Sequence, residues 1–168
     1  MADKQVMNFA NLKLDIRTEA DKVHYTLVGD IDENFRNKEV PRIPKPEICI
    51  HLKDVGHFNS CGIREWILFI TDLKKCGKLT FYECSVASID QINMVPNSLG
   101  GGDVVSFYAP YYCPCGQEHT KLIQVKDHEA TMRRFEAPSF TCSCGKPLEF
   151  DALEESYFQF LHALPRAG

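Results

Sequence analysis

Two short copies of one pattern, Cys113-Pro114-Cys115-Gly116 and Cys142-Ser143-Cys144-Gly145, constrain this chain more than any other feature. Four thiolates can close a tetrahedral metal site, and with no coordination position left for water such a site is structural. Cysteines two apart in an extended segment point the same way, so each pair bites one ion, and the glycine that follows lets the backbone turn around the sulfur. The chain must therefore fold back on itself between residues 111 and 150, a piece of about 40 residues, too small to hold together by burial alone. An iron–sulfur cluster, or cysteines merely buried or transiently oxidised, are the weaker alternatives. His119 lies near the first pair, but a four-sulfur site does not need it as a ligand, and it reads as a surface residue.

The remaining composition is that of an ordinary globular protein. A length of 168 residues fits one domain, or a domain plus a small module, with 44% hydrophobic and 25% charged residues. The formal net charge of −4 argues against a nucleic-acid partner or an anionic membrane surface. No stretch approaches a membrane span, and Met1 to Gln5 opens no apolar run of signal-peptide length. These features predict a cytoplasmic protein without membrane insertion. Its eight cysteines are then read first as metal ligands rather than as a disulfide framework.

Along the chain, strands and helices alternate. Asn8 to Arg17 and Val23 to Val28 read as a hairpin about the polar turn Thr18 to Lys22. Ile31 to Lys38 predicts a short helix with Asp32 as its cap, and Pro41 to Pro46 a bland extended connector. Ile48 to Leu52 reads as a strand covered on both faces, and Lys53 to Gly56 as a loop. Ile63, Trp66, Ile67, Ile70 and Leu73 share one helical face, and Gly77 is the stop signal, so Ser60 falls at or beside the N-cap. Lys78 to Cys84 predicts a strand, Val86 to Met94 a helix, Gly100 to Gly102 a plain turn and Val104 to Tyr108 a last strand. Asp151 to Leu164 predicts a closing helix with one apolar stripe of Leu153, Tyr157, Phe160, Leu161 and Leu164.

The residues Asp54, Val55, Phe58, Asn59, Ser60, Cys61, Gly62 and Ile63, between a strand and a helix, resemble the signature of the STAS family, the sulfate transporter and anti-sigma factor antagonist domain. Gly29-Asp30-Ile31-Asp32 and the stretch Leu79 to Met94 resemble two further parts of that family, so the likeness covers roughly residues 8 to 110. The family's usual aspartate before the serine is Asn59 here, and its second hydroxyl residue is Cys61. The segment between the cysteine pairs, with Lys121 to Val125 and Phe135 to Phe140 as short strands, is similar to a zinc ribbon. Together these predict an α/β fold: a STAS-like mixed β-sheet with helices over residues 1–110, a zinc-ribbon-like insertion over 111–150, and a C-terminal helix, 151–168, returning to the first domain.

The resemblance implies a non-enzymatic bacterial regulator of the anti-sigma factor antagonist type. Its partner would be an anti-sigma factor, a histidine-kinase-like ATPase. Partner binding and phosphorylation would centre on Ser60 with Asn59, Cys61 and Gly62, and one structural zinc would sit on Cys113, Cys115, Cys142 and Cys144. Three other readings compete. Ser60 can be simply an N-cap. Cys61, with His57 four residues before it, can be a thiolate nucleophile. The chain can also be a scaffolding module that uses the zinc-ribbon surface without a phosphate switch, with Tyr108, Tyr111, Tyr112, Phe135 and Phe140 either as a docking patch or as the module's own core. Pairing with a second copy through the exposed hairpin edge stays open.

Overall fold

In the computed structural model, which describes residues 3–165, the expected mixed α/β architecture is present. Six strands form one sheet in chain order: β1 (Asp3–Asn8), β2 (Leu12–Thr18), β3 (Lys22–Ile31), β4 (Glu47–Phe58), β5 (Lys78–Tyr82) and β6 (Asp103–Val104). The first three are antiparallel neighbours, and β3 through β6 run parallel. The step from β4 to β5 is bridged by α1 (Ser60–Lys74) and that from β5 to β6 by α2 (Val86–Met94), while β3 reaches β4 through a connector with one 3-10 turn. Strand β1 is an addition to the expected hairpin. It is an edge strand with almost no buried side chain, so its hydrophobic pattern carries no signal and the ladder to β2 alone defines it.

Both helices lie on one face of the sheet. Trp66, Phe69, Ile70 and Leu73 of α1 and Ile89 and Ile92 of α2 share a core with Ile48, Ile50, Leu52 and Phe81. The expectation that β4 is covered on both faces holds around Cys49, which is as fully buried as Ile48 and Ile50, and weakens at the half-buried His51. Cys49 and His51 alternate with the core residues and turn to the other face, where the His24, His51 and Tyr82 rings stack at 5.2 and 5.1 Å across three strands. Lys53 to Gly56 is not a loop. β4 continues through it to Phe58, paired with β3, while its pairing with β5 stops at His51. Having lost a neighbour, this half of the strand carries the solvated residues that made it read as a turn.

Ile31 to Lys38 forms only a 3-10 turn at Asn37–Glu39. The Asp32 carboxylate instead accepts from the Asn34 N–H at 2.9 Å and from the Asn11 amide at 2.7 Å. The proline connector is extended as expected but is far from bland. Tyr25 donates its hydroxyl to the Pro41 carbonyl at 2.7 Å and accepts the Ile43 N–H at 3.2 Å. Arg42 donates to the Asn37 and Val40 carbonyls, reaches Asp72 at 3.2 Å and lies over the Phe69 ring at 5.2 Å.

The expected last strand is really two. The chain breaks at Val105, and β7 (Ser106–Tyr112) joins a second sheet with β8 (Glu118–Gln124) and β9 (Glu149–Phe150), in the order β8-β7-β9. β7 therefore runs across the expected boundary at residue 110. Phe135 to Phe140 is not a strand. The segment instead contains α3 (Val125–Arg133), whose only buried residues are Val125 and Met132, too few to mark a helical period. The closing helix is also shorter than expected: α4 (Glu154–Tyr157) passes into a 3-10 turn over Phe158–Ala163. Tyr157, Phe158, Phe160 and Leu161 are buried, whereas Leu153, expected in the stripe, is 77% exposed.

Candidate functional site

The two cysteine pairs are built alike. In the first, between β7 and β8, the Gly116 N–H donates to the Cys113 carbonyl at 2.8 Å and the Cys113 N–H to the Gln117 carbonyl at 2.8 Å. In the second, the Gly145 N–H donates to the Cys142 carbonyl at 2.9 Å and the Cys142 N–H to the Lys146 carbonyl at 2.8 Å. Each Cys-x-Cys is thus a tight turn and not the extended segment expected from its spacing. The turn lets the second backbone N–H face the first sulfur, as Cys115 N–H does to the Cys113 Sγ at 3.5 Å. Gly116 and Gly145 have φ of +97° and +89°, torsions that other residues adopt only under strain.

These turns bring all four sulfurs within 4.8 Å of one another, with Cys113 to Cys144 at 3.5 Å and Cys115 to Cys142 at 3.9 Å. The cysteines are free thiols. A tetrahedral ion with metal–sulfur bonds of about 2.3 Å has sulfur–sulfur edges of roughly 3.8 Å, so the quartet fits a four-sulfur metal site. The Cys144 N–H on the Cys142 sulfur, with the neighbouring Cys113 and His119, brings that thiol down to about 6, which favours the thiolate a metal requires. Although the Cys115 N–H pulls Cys113 downward, burial and the adjacent thiols hold it up at about 12. His119 is no bystander: β8 sets its Nε2 3.5 Å from the Cys142 Sγ, within reach of a ligand sulfur rather than on the free surface.

The helix start is built from different elements. Asn59 is the cap of α1, accepting the Gly62 N–H on its side-chain oxygen at 2.8 Å, while its own N–H donates to the Ile31 carbonyl at 3.3 Å. Its amide also donates to Glu33 at 2.5 Å. Ser60 is therefore not the cap but the first helical residue. It is exposed beside the exposed Cys61, and its hydroxyl has no protein partner among the described residues. Gly62 is buried where α1 passes the end of β3: a Cβ there would stand 1.8 Å from the Ile31 carbonyl oxygen. His57 lies on β4 opposite Asp30, and no hydrogen bond joins it to the Cys61 thiol among the described residues. Of the aromatic residues flanking the quartet, Tyr111 is core, packed on Phe140 and Phe150 and donating to the Pro138 carbonyl at 2.8 Å. Tyr112 is exposed.

Sequence reasoning did not single out the Arg42 clamp or the His24–His51 pair, whose Nδ1 and Nε2 lie 2.9 Å apart. Only the strand register brings those histidines together. No protein-family model matches the chain, and no curated protein matches it.

Proposed function

We propose that this chain is a non-enzymatic bacterial regulator of the anti-sigma factor antagonist type, binding a protein partner around the Ser60 helix start with Ser60 phosphorylation as the switch. The observation that supports this most is the division of labour at residues 59 and 60. Asn59 caps the helix, which leaves Ser60 as an exposed, unengaged hydroxyl at the head of a 15-residue helix with no acidic residue in its first turn. A phosphate there adds about −1.5 to −2 charge where free N–H groups and the helix dipole accept an anion. Because Ser60 is exposed, the charge seen by a partner changes while the core does not.

In this reading zinc occupies Cys113, Cys115, Cys142 and Cys144 as a closed structural site, since four thiolates suit a soft-tolerant tetrahedral ion. The partner is an anti-sigma factor with a histidine-kinase-like ATPase domain, and the protein works in the cytoplasm. A second reading, scaffolding through the ribbon surface without a switch, draws on Tyr112 and Leu122, exposed on neighbouring strands β7 and β8.

The test is a tagged pull-down from native cells of the wild type, Ser60→Asp and Ser60→Ala, with captured proteins and Ser60 phosphate read by mass spectrometry. Capture of an ATPase by the wild type and its loss with Ser60→Asp is expected. The same partners on all three forms would overturn the switch.

A further inference from the structure

We propose a second protein-docking surface, a groove between the C-terminal half of α2 and the Ala152–Tyr157 segment, whose occupant is a basic amphipathic segment of a partner protein, a Lys or Arg flanked by apolar side chains. Met94 and Leu153 are 71% and 77% exposed, the most solvent-accessible large hydrophobic residues of the described chain. They stand on opposite lips of one groove of about 490 Å³. Isolated exposed hydrophobic residues need no explanation, but two facing each other across a concavity do.

The groove is preformed. Its floor is Tyr157, 4% exposed, whose hydroxyl donates to the Tyr108 carbonyl at 2.5 Å. The Asn93 amide donates to the Tyr157 carbonyl at 2.9 Å and ties the α2 wall to the other. A rigid site of this kind binds without first having to order itself.

Its charge selects the occupant. Asp90 lines the groove, joins no ion pair among the described residues, and has its carboxyl raised by partial burial. Asp90 is the one charged residue among the described residues that line the groove. An apolar segment bearing one cation would cover Met94 and Leu153 and supply Asp90 with the partner it lacks. With Asp90 in its wall and no cation among its described lining residues, the groove does not suit anionic lipid or nucleic acid.

This surface is separate from the Ser60 site. β4 and β5 are parallel, so α1 and α2 begin at the same end of the sheet, and the groove lies toward the far end of α2.

The probe is a 14-residue helical peptide of Leu and Lys in amphipathic order, beside the same peptide with Glu for Lys, titrated into the ¹⁵N-labelled 168-residue chain prepared with zinc. Saturable shifts confined to Asp90, Met94, Leu153 and Tyr157 are expected. Asp90→Asn, and separately the pair Met94→Ser with Leu153→Ser, should each weaken binding at least tenfold, while Ser60→Asp leaves it unchanged. Shifts elsewhere, equal affinity for the Glu peptide, or unchanged affinity of the variants would overturn the proposal. So would self-association abolished by the Met94 and Leu153 changes, because the occupant would then be a second copy. Peptide affinity is read at the groove and the pull-down at Ser60, so failure here is distinguishable from failure of the switch.

Discussion

Adjacent residues at the head of α1 differ in what they can tolerate. Gly62→Ala places a carbon 1.8 Å from the Ile31 carbonyl and must push α1 off the end of β3. It should cost about 3 kcal/mol in urea unfolding, as expected of overpacking against backbone. Ser60→Asp should stay within about 0.5 kcal/mol of the wild type, because Ser60 is exposed and does no capping. A large loss there would mean the hydroxyl has a structural role, and the switch would fail with it. The sequence marked all four residues of this start but could not divide their roles, because capping by Asn59 rather than Ser60 depends on one residue of helix register. The histidine pair was not legible at all. Burial, with His24 and Arg17 adjacent, depresses His51 to about 4. The unfolded chain therefore binds a proton near pH 6.5 that the folded chain refuses until about pH 4. The contribution is present in full above pH 6.5 and is lost as pH falls through that window, and solvent screening limits it to about 1–2 kcal/mol. His51→Gln should flatten the stability curve between those limits, and an unchanged slope would assign it to other groups.

At the level of elements, legibility followed how much each segment states its own geometry. The cysteine quartet was readable because its four sulfurs and two glycines mark it locally, though the tight form of each Cys-x-Cys was not, whereas α3 and β9 depend on what they pack against and left no period in the sequence. Removing the metal, by chelation or by Cys113→Ser, should raise amide exchange across residues 111 to 150 while β2 through β5 stay protected. An ion on the quartet would link two turns joined to the rest chiefly through β7. Metal analysis finding no zinc in the wild type would contradict the ion's identity. The proline connector shows the opposite case. Its extended form was plain from the prolines, but its anchoring was not, since Arg42 meets Asn37, Val40, Asp72 and Phe69 only in three dimensions. Arg42→Ala should cost about 2 kcal/mol, more than a surface ion pair, because it strands the Asn37 and Val40 carbonyls. A change below about 0.5 kcal/mol would show the clamp to be replaceable by water.

Across the whole molecule, the sequence suggested a sheet domain with a separate insert, yet one continuous core runs through both sheets. The join is Phe107. Its backbone bridges Cys84 at the end of β5, and its ring contacts Phe160 at 5.0 Å and Tyr157 and Phe158 at 6.3 Å. Those residues come from the C-terminal segment, which packs on α2. The chain break at Val105 thus turns β7 out of the large sheet without separating the second sheet from it. A Phe107→Ala substitution tests whether this join makes the two parts one cooperative unit. The ring is fully buried, and its loss should cost about 3–5 kcal/mol. In a single unit, exchange protection should fall together in α2, in β8 and in the Phe158–Ala163 turn, while the cysteine turns, held by their own hydrogen bonds, keep their form and the metal proposed for them. If protection fell in β7 and β8 alone, with α2 untouched, the insert would be an independent module resting on the large sheet.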